Sequence, residues 1–497
     1  MTRIAKSLAL LLAALCAVPA QHHASAQNVT TFHNGADREG AYVVPGLTYA
    51  AAAKLHRDAN FKATISGDVF AQPLYWKPAG ARKGLVIVAT EENFVYALDE
   101  ATGARVWKTT LPRPAPLSEH GCGDIDPEGI TGTPVIDPAT GTLYLDAVIS
   151  GAGKVAKHKL YAISLATGAV LPRWPIDVEN RMRAHHQAFS SQYQGERSAL
   201  LFFNNRLYVT YGGRAGDCQP YHGVVIEVAP KARVVTGVWA TKADRGGIWS
   251  QSGLSSDGTS IFVTTGNTTT SAGWGDGEAV IRLLPGLDRS TSRKDFFAPA
   301  NWKSMDDNDQ DLGATAAVPF TVPAAGGAAA RILAMGKDGN AYLLDAGNLG
   351  GFGHQLARFA VTPPTLRAVP AIHKTATGTL VAIPNHGTVT ADCSGNNLTV
   401  LKVTADPDTP VKLAWCALIA GFGQPIVTTT NGTDDPIFWL AGAGGDQKMH
   451  GFDALTGKVL FSGGNARMTG VRQMSTIIVA NNRFYVVGDG TVYAFTF

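Results

Sequence analysis

Charged residues are scarce in this chain, at 16% of 497 positions, and the two signs nearly cancel to a formal net charge of +3. No run of lysine and arginine disturbs that balance, so nothing in the composition asks for nucleic acid or an anionic membrane as partner. Low charge together with 55 glycines argues against disorder and for many short strands joined by tight turns. Long apolar runs are missing beyond the first twenty residues, which leaves no later segment to cross a bilayer as a helix. Helical periodicity is nearly missing as well; Tyr49 to Leu55 is the one stretch that reads as a short helix. The pattern Cys-x-x-Cys-His does not occur, so no covalent haem is expected.

The N-terminus carries a basic start at Arg3 and Lys6, an apolar run from Leu8 to Ala20, and the small-x-small site Ala24-Ser25-Ala26. These are the parts of a secretory signal peptide over 1–26, leaving 27–497 as a single mature domain that is periplasmic or secreted. An anchor is the other reading, but the run is short for a span, and Leu15 before Cys16 suits lipidation poorly. Past Cys16 there remain Cys122, Cys218, Cys393 and Cys416, an even set that in an exported chain points to two disulfides. Three connectivities exist. The expected one joins Cys393 to Cys416 within one repeat and Cys122 to Cys218 across neighbouring repeats.

What the chain has in quantity is one recurring unit. Val95 to Trp107 reads as a strand, an Asp/Thr/Gly turn, and a second strand closed by an aromatic. Leu160 to Gly168 and Met449 to Gly457 repeat it, and Tyr342 to Asp345 and Thr491 to Phe495 are degenerate copies. Such recurrence signals stacked modules, none able to bury its apolar face alone. Counting strands and turns gives an all-β propeller of about eight four-stranded antiparallel blades, with seven as the runner-up. Only three strands remain after Val471, and Asn28 to Phe32 is the expected fourth that closes the ring and removes its edges.

Five places carry polar or aromatic residues that the repeat does not need. His120 to Gly129 is dense in glycine, acid and cysteine, and reads either as a functional loop or as a stapled turn. Gly216 to Gly223 holds Asp217 and Cys218 between two strands, where a loop bend is the plainer reading. Trp249, followed by Gly266-Asn267, would otherwise be a packing aromatic and a turn residue. Asp306 to Gly313 offers six oxygen-bearing side chains in a row, enough to consider a hard cation, although acidic surface loops are commoner. Gly336 to Asn340 is a tight hairpin turn.

In order and spacing these places resemble the quinoprotein alcohol dehydrogenases, within the pyrroloquinoline-quinone-like propeller family, over most of the mature chain. The resemblance implies a quinone on the floor of Trp249 and Lys337 at the quinone carbonyls. It implies Ca²⁺ held by Asp217, Asn267 and Asp306, with Asp306 also as catalytic base. Asn308 stands where lanthanide-using relatives carry a further aspartate, which favours Ca²⁺. The family's adjacent cysteine pair over the quinone is reduced here to Cys122-Gly123-Asp124; a Cys122–Cys218 bridge would put a different disulfide at the same spot. The implied activity is oxidation of an alcohol or sugar hydroxyl, with electrons passed to a separate acceptor. Two alternatives stand beside it: a propeller without cofactor that serves as a binding or scaffolding module for a protein partner, and a non-redox carbohydrate-active enzyme such as a polysaccharide lyase using His120, His185, His186 or His222.

Overall fold

The computed structural model describes residues 28–269, 273–363, 365–387 and 390–497. The expected signal peptide lies outside the described residues. Eight small sheets follow one another in chain order and form an eight-bladed β-propeller. The first blade is typical: Leu74–Trp76, Leu85–Ala89, Phe94–Asp99 and Arg105–Thr110 pair in sequence, each antiparallel to the next. Its two middle strands are buried on both faces, because each blade is sandwiched between neighbours.

The recurring Asp/Thr/Gly turn has a physical role in this stacking. Asp99 Oδ1 accepts the backbone N–H groups of Ala101 and Thr102 and the Thr102 hydroxyl, which fixes the turn. Asp453 does the same for Leu455 and Thr456. The aromatic that closes one unit then docks on the turn of the next. Trp107 donates its indole N–H to the Leu165 carbonyl at 3.0 Å, and a Cβ on Gly168 would come within 2.8 Å of its ring. Trp415 repeats the contact on Ala454 and Gly457. Glycine at φ near 75° thus serves twice, in the left-handed turn and in the close approach of the indole.

Ring closure departs from expectation. The last blade, Ile478–Ala480, Arg483–Gly488 and Thr491–Thr496, is completed by His56–Arg57 and Ala63–Thr64, both antiparallel to its final strand. Asn28 to Phe32 does something else. Val29 bridges Tyr75 in the first blade, and Phe32 and His33 turn inward and are fully buried. From there the chain crosses the central channel: Arg38 donates to the carbonyls of Leu254 and Phe32 at 2.9 Å and to the Thr31 hydroxyl at 2.8 Å. Ala41–Val43 then lies parallel to Ile426–Thr429 on the inner edge of the seventh blade. Residues 29–44 therefore plug one end of the channel.

Tyr49–Ala52 is helical as expected, but Leu117–His120, Val178–Ala184 and Trp302–Asp307 are helical too. All are too short for a 3.6-residue period to show in sequence. Among the described residues no helix is long and apolar enough to cross a membrane. Both expected disulfides, Cys122–Cys218 and Cys393–Cys416, are present.

Candidate functional site

Along the innermost strands, residues that touch the plug come about five positions after those that face a cavity. Leu254 bonds Arg38 and Ile372 bonds Glu39, whereas Trp249 and Arg367 line a cavity of about 490 Å³. None of residues 29–44 lines that cavity, so cavity and plug occupy different parts of the channel. Of the expected residues, Asp217, Trp249, Asn267 and Lys337 all line this cavity. The Cys122–Cys218 disulfide lies just behind its wall, with Cys122 Sγ 3.3 Å from the Ala215 carbonyl oxygen.

Lys337 sits at the start of a hairpin that the Gly339 turn (φ 77°) closes. Its ammonium lies 2.6 Å from Asp311 Oδ2 and 2.9 Å from Asp309 Oδ1, and 5.2 Å from the centre of the Trp249 ring. Burial works against this charge, but the two carboxylates outweigh it and hold the lysine pKa above its ordinary value. The other oxygen of Asp311 accepts the Asn267 N–H at 2.8 Å, so one aspartate ties two expected positions together.

Asp306, expected as ligand and base, is not among the residues that line the cavity. It ends up buried in the helix Trp302–Asp307, where Oδ1 accepts the Thr268 N–H at 2.9 Å and Oδ2 the Thr268 hydroxyl at 2.8 Å. The helix stops at Asp307, and Asp309 adopts a left-handed φ of 54°. Asp309 and Asp311 are thereby the carboxylates that reach the mouth.

On the third blade Asp217 takes a hydrogen bond from the Tyr221 hydroxyl at 2.8 Å through Oδ1 and faces Arg245 at 3.8 Å through Oδ2. Burial pushes its pKa up, the charges of Asp311 and Asp309 add to the rise, and Tyr221 and Arg245 oppose it. Arg197, paired with Asp124, and Arg367 complete the rim. These arginines, with Tyr221 and Arg214, were not singled out in the sequence. Arg214, set directly after Gly212-Gly213, carried the one available signal.

Arg214 links the cavity to a buried acidic layer. Its stem lines the wall while its guanidinium, nearly inaccessible, donates to Glu128 at 2.7 Å and to the Ser191 carbonyl at 2.9 Å. Burial alone would raise the Glu128 pKa, but the Arg214 charge holds it below the usual range. Among the described residues Glu91 and Glu196 form no ion pair, although the Arg197 charge acts on Glu91 from a distance. Burial pushes Glu91 up to about 8, and Glu196 rises well above normal through burial and the charge of Asp146.

The implied cofactors fare differently against this geometry. A flat ring bearing carboxylates suits a cavity with an indole wall and several guanidinium and ammonium groups. A divalent cation does not suit it. Calcium takes six to eight oxygens, whereas Asp306 is spent on Thr268, and both oxygens of Asp311 are taken by Asn267 and Lys337. Among the described residues no three His, Cys, Asp or Glu side chains are placed to share an ion. None of His120, His185, His186 or His222 lines the cavity either, so the lyase reading has no histidine there to work with.

Residues 57–214 match the sequence pattern of the family described as outer membrane protein assembly factor BamB. No curated protein matches the chain in sequence. Among solved structures, the quinohemoprotein alcohol dehydrogenase from Comamonas testosteroni superposes with a TM-score of 0.65 at 14% identity, covering 94% of this chain and 80% of that one. A europium-containing methanol dehydrogenase gives 0.60 at 12% identity, over 95% and 98%. BamB from Moraxella catarrhalis gives 0.50 at 15%, over 89% and 100%. Identities this low speak for the fold alone. By its ring of blades the chain is an eight-bladed β-propeller, and its residues 57–214 carry the repeat of the family matched there.

Proposed function

We propose that this is an exported quinone-binding oxidoreductase that oxidises an alcohol or sugar hydroxyl and passes electrons to a separate carrier. The observation that carries the reading is that Asp217, Trp249, Asn267 and Lys337, distant in sequence, line one cavity. The quinone, when bound, supplies the two-electron acceptor. Trp249 orients a flat ring against its face, and the plug in the channel limits water entry. Asp217 is the proposed proton acceptor: it lines the cavity, with Oδ1 held by Tyr221 and Oδ2 3.8 Å from Arg245, and its raised pKa moves it toward the range useful in general base catalysis. Lys337 and Arg245 offer N–H groups to ligand oxygens. Asp306 supports the loop from behind through Thr268.

The test is titration of the mature protein with pyrroloquinoline quinone, read by tryptophan fluorescence, together with dye-linked oxidation of alcohols and sugars. Saturable binding in the micromolar range supports the reading, and its absence in a folded sample sinks it. In that event the second reading, a binding module without cofactor, gains from the match of residues 57–214 to an assembly factor. Export after Ala26 is checked by sequencing the mature N-terminus, which the reading places near Gln27; the two disulfides support an oxidising compartment.

A further inference from the structure

The cavity already contains a positive charge where a metal ion would be sought. An ammonium group has three N–H donors. Two of those on Lys337 go to Asp309 and Asp311, and no third partner is present among the described residues. The group is largely enclosed, at 15% side-chain exposure, and lies beside the Trp249 ring. One donor is therefore left at the aromatic wall, fixed in direction by two carboxylates and a peptide N–H, since Lys337 N also donates to the Asp311 carbonyl at 2.9 Å.

Most of the carboxylate oxygens that a cation would need already accept hydrogen bonds or ion pairs. Thr268 takes both oxygens of Asp306, Asn267 and Lys337 take both of Asp311, and Tyr221 takes Oδ1 of Asp217. An incoming divalent ion would have to evict Lys337 from Asp311 and leave a half-buried ammonium without its partner, which is costly.

We infer that Lys337 is the resident cation of this cavity: it donates directly to a carbonyl or carboxylate oxygen of the ligand, and ligand binding needs no divalent metal. The inference rests on the proposed quinone reading for the identity of the ligand; its claim about the cation stands separately.

Two measurements keep those parts distinct. Calcium titration of the chelator-treated protein alone, by calorimetry and thermal shift, is expected to show no stoichiometric site. Quinone binding is expected to be equal in calcium and in chelator. Lys337→Met should weaken that binding about tenfold or more, the usual worth of a charge-assisted hydrogen bond, and Lys337→Arg should recover part of it. Lys337→Ala, which releases two carboxylates, should gain a calcium-dependent thermal shift that the parent lacks. One tightly bound calcium per parent chain, loss of quinone binding on chelation, or unchanged binding by Lys337→Met would each overturn the inference. Failure of the parent protein to bind quinone at all would defeat the proposed function, and the calcium titration would still judge the cation.

Discussion

The plug and the cavity each hold a buried cation, and they are handled in opposite ways. Arg38 in the plug is fully enclosed and spends its guanidinium on neutral acceptors, the carbonyls of Leu254 and Phe32 and the hydroxyl of Thr31. Lys337 at the mouth is partly exposed, is held by two carboxylates, and keeps a donor uncommitted. A cation bonded to neutral carbonyl and hydroxyl acceptors serves as a fastener. One that is balanced by charge yet incompletely bonded is prepared for a visitor.

Arg38→Met is the harshest way to break this contrast. It strands several buried carbonyls, at about 1–3 kcal/mol for each unsatisfied group, so urea unfolding should show a loss of about 3–5 kcal/mol. Lys337→Met at the mouth should cost no more than about 1 kcal/mol by the same method, as partly exposed ion pairs do. Equal losses would erase the distinction. The mouth does have a fastener of its own in the Cys122–Cys218 disulfide, which spans 96 residues. Replacing both cysteines with serine should lower stability by about 2–4 kcal/mol, read as a drop in Tm under non-reducing conditions.

Within the mouth, Asp217→Asn should reduce dye-linked turnover by roughly 10² or more, the usual worth of a general base. Asp306→Asn should leave turnover nearly intact and cost about 1 kcal/mol of stability through the weakened Thr268 bonds; the reverse ranking would return the base to Asp306. A pH-dependent effect concerns Glu91, which is fully buried with its pKa pushed up to about 8 from an ordinary 4.5. Between those values the folded state holds a proton that the unfolded state has released, so Glu91 makes stability fall as pH rises through that window. Glu91→Gln should flatten the decline in Tm between pH 5 and pH 8, and an unaltered slope would show that the burial penalty is relieved elsewhere.

The blades were legible because their strands alternate and their turns repeat one chemistry, Asp99-x-x-Thr102-Gly103, whose side-chain bonds the structure displays. The disulfides followed from cysteine count and repeat spacing. Ring closure was not legible, since His56–Arg57 and Ala63–Thr64 are two-residue strands with no period to detect. The acidic run from Asp306 to Asp311 could be located but not oriented. Which carboxylates face the cavity depends on a helix that ends at Asp307 and on the left-handed turn at Asp309, a backbone detail that composition does not encode. The arginines of the rim escaped notice because each belongs to a different blade and gains meaning only when the ring closes.

That closure has a consequence in time. His56 pairs with Thr496, positions separated by 440 residues. A chain threaded through a translocation pore N-terminus first would present His56–Arg57 and Ala63–Thr64 long before Thr491–Thr496 exists to receive them. The final seam is thus a contact of very long range, the kind that forms slowly and leaves strand edges open meanwhile. A ring sealed this way makes the last few residues of the sequence the latch for the first, and their loss should be felt at the opposite terminus.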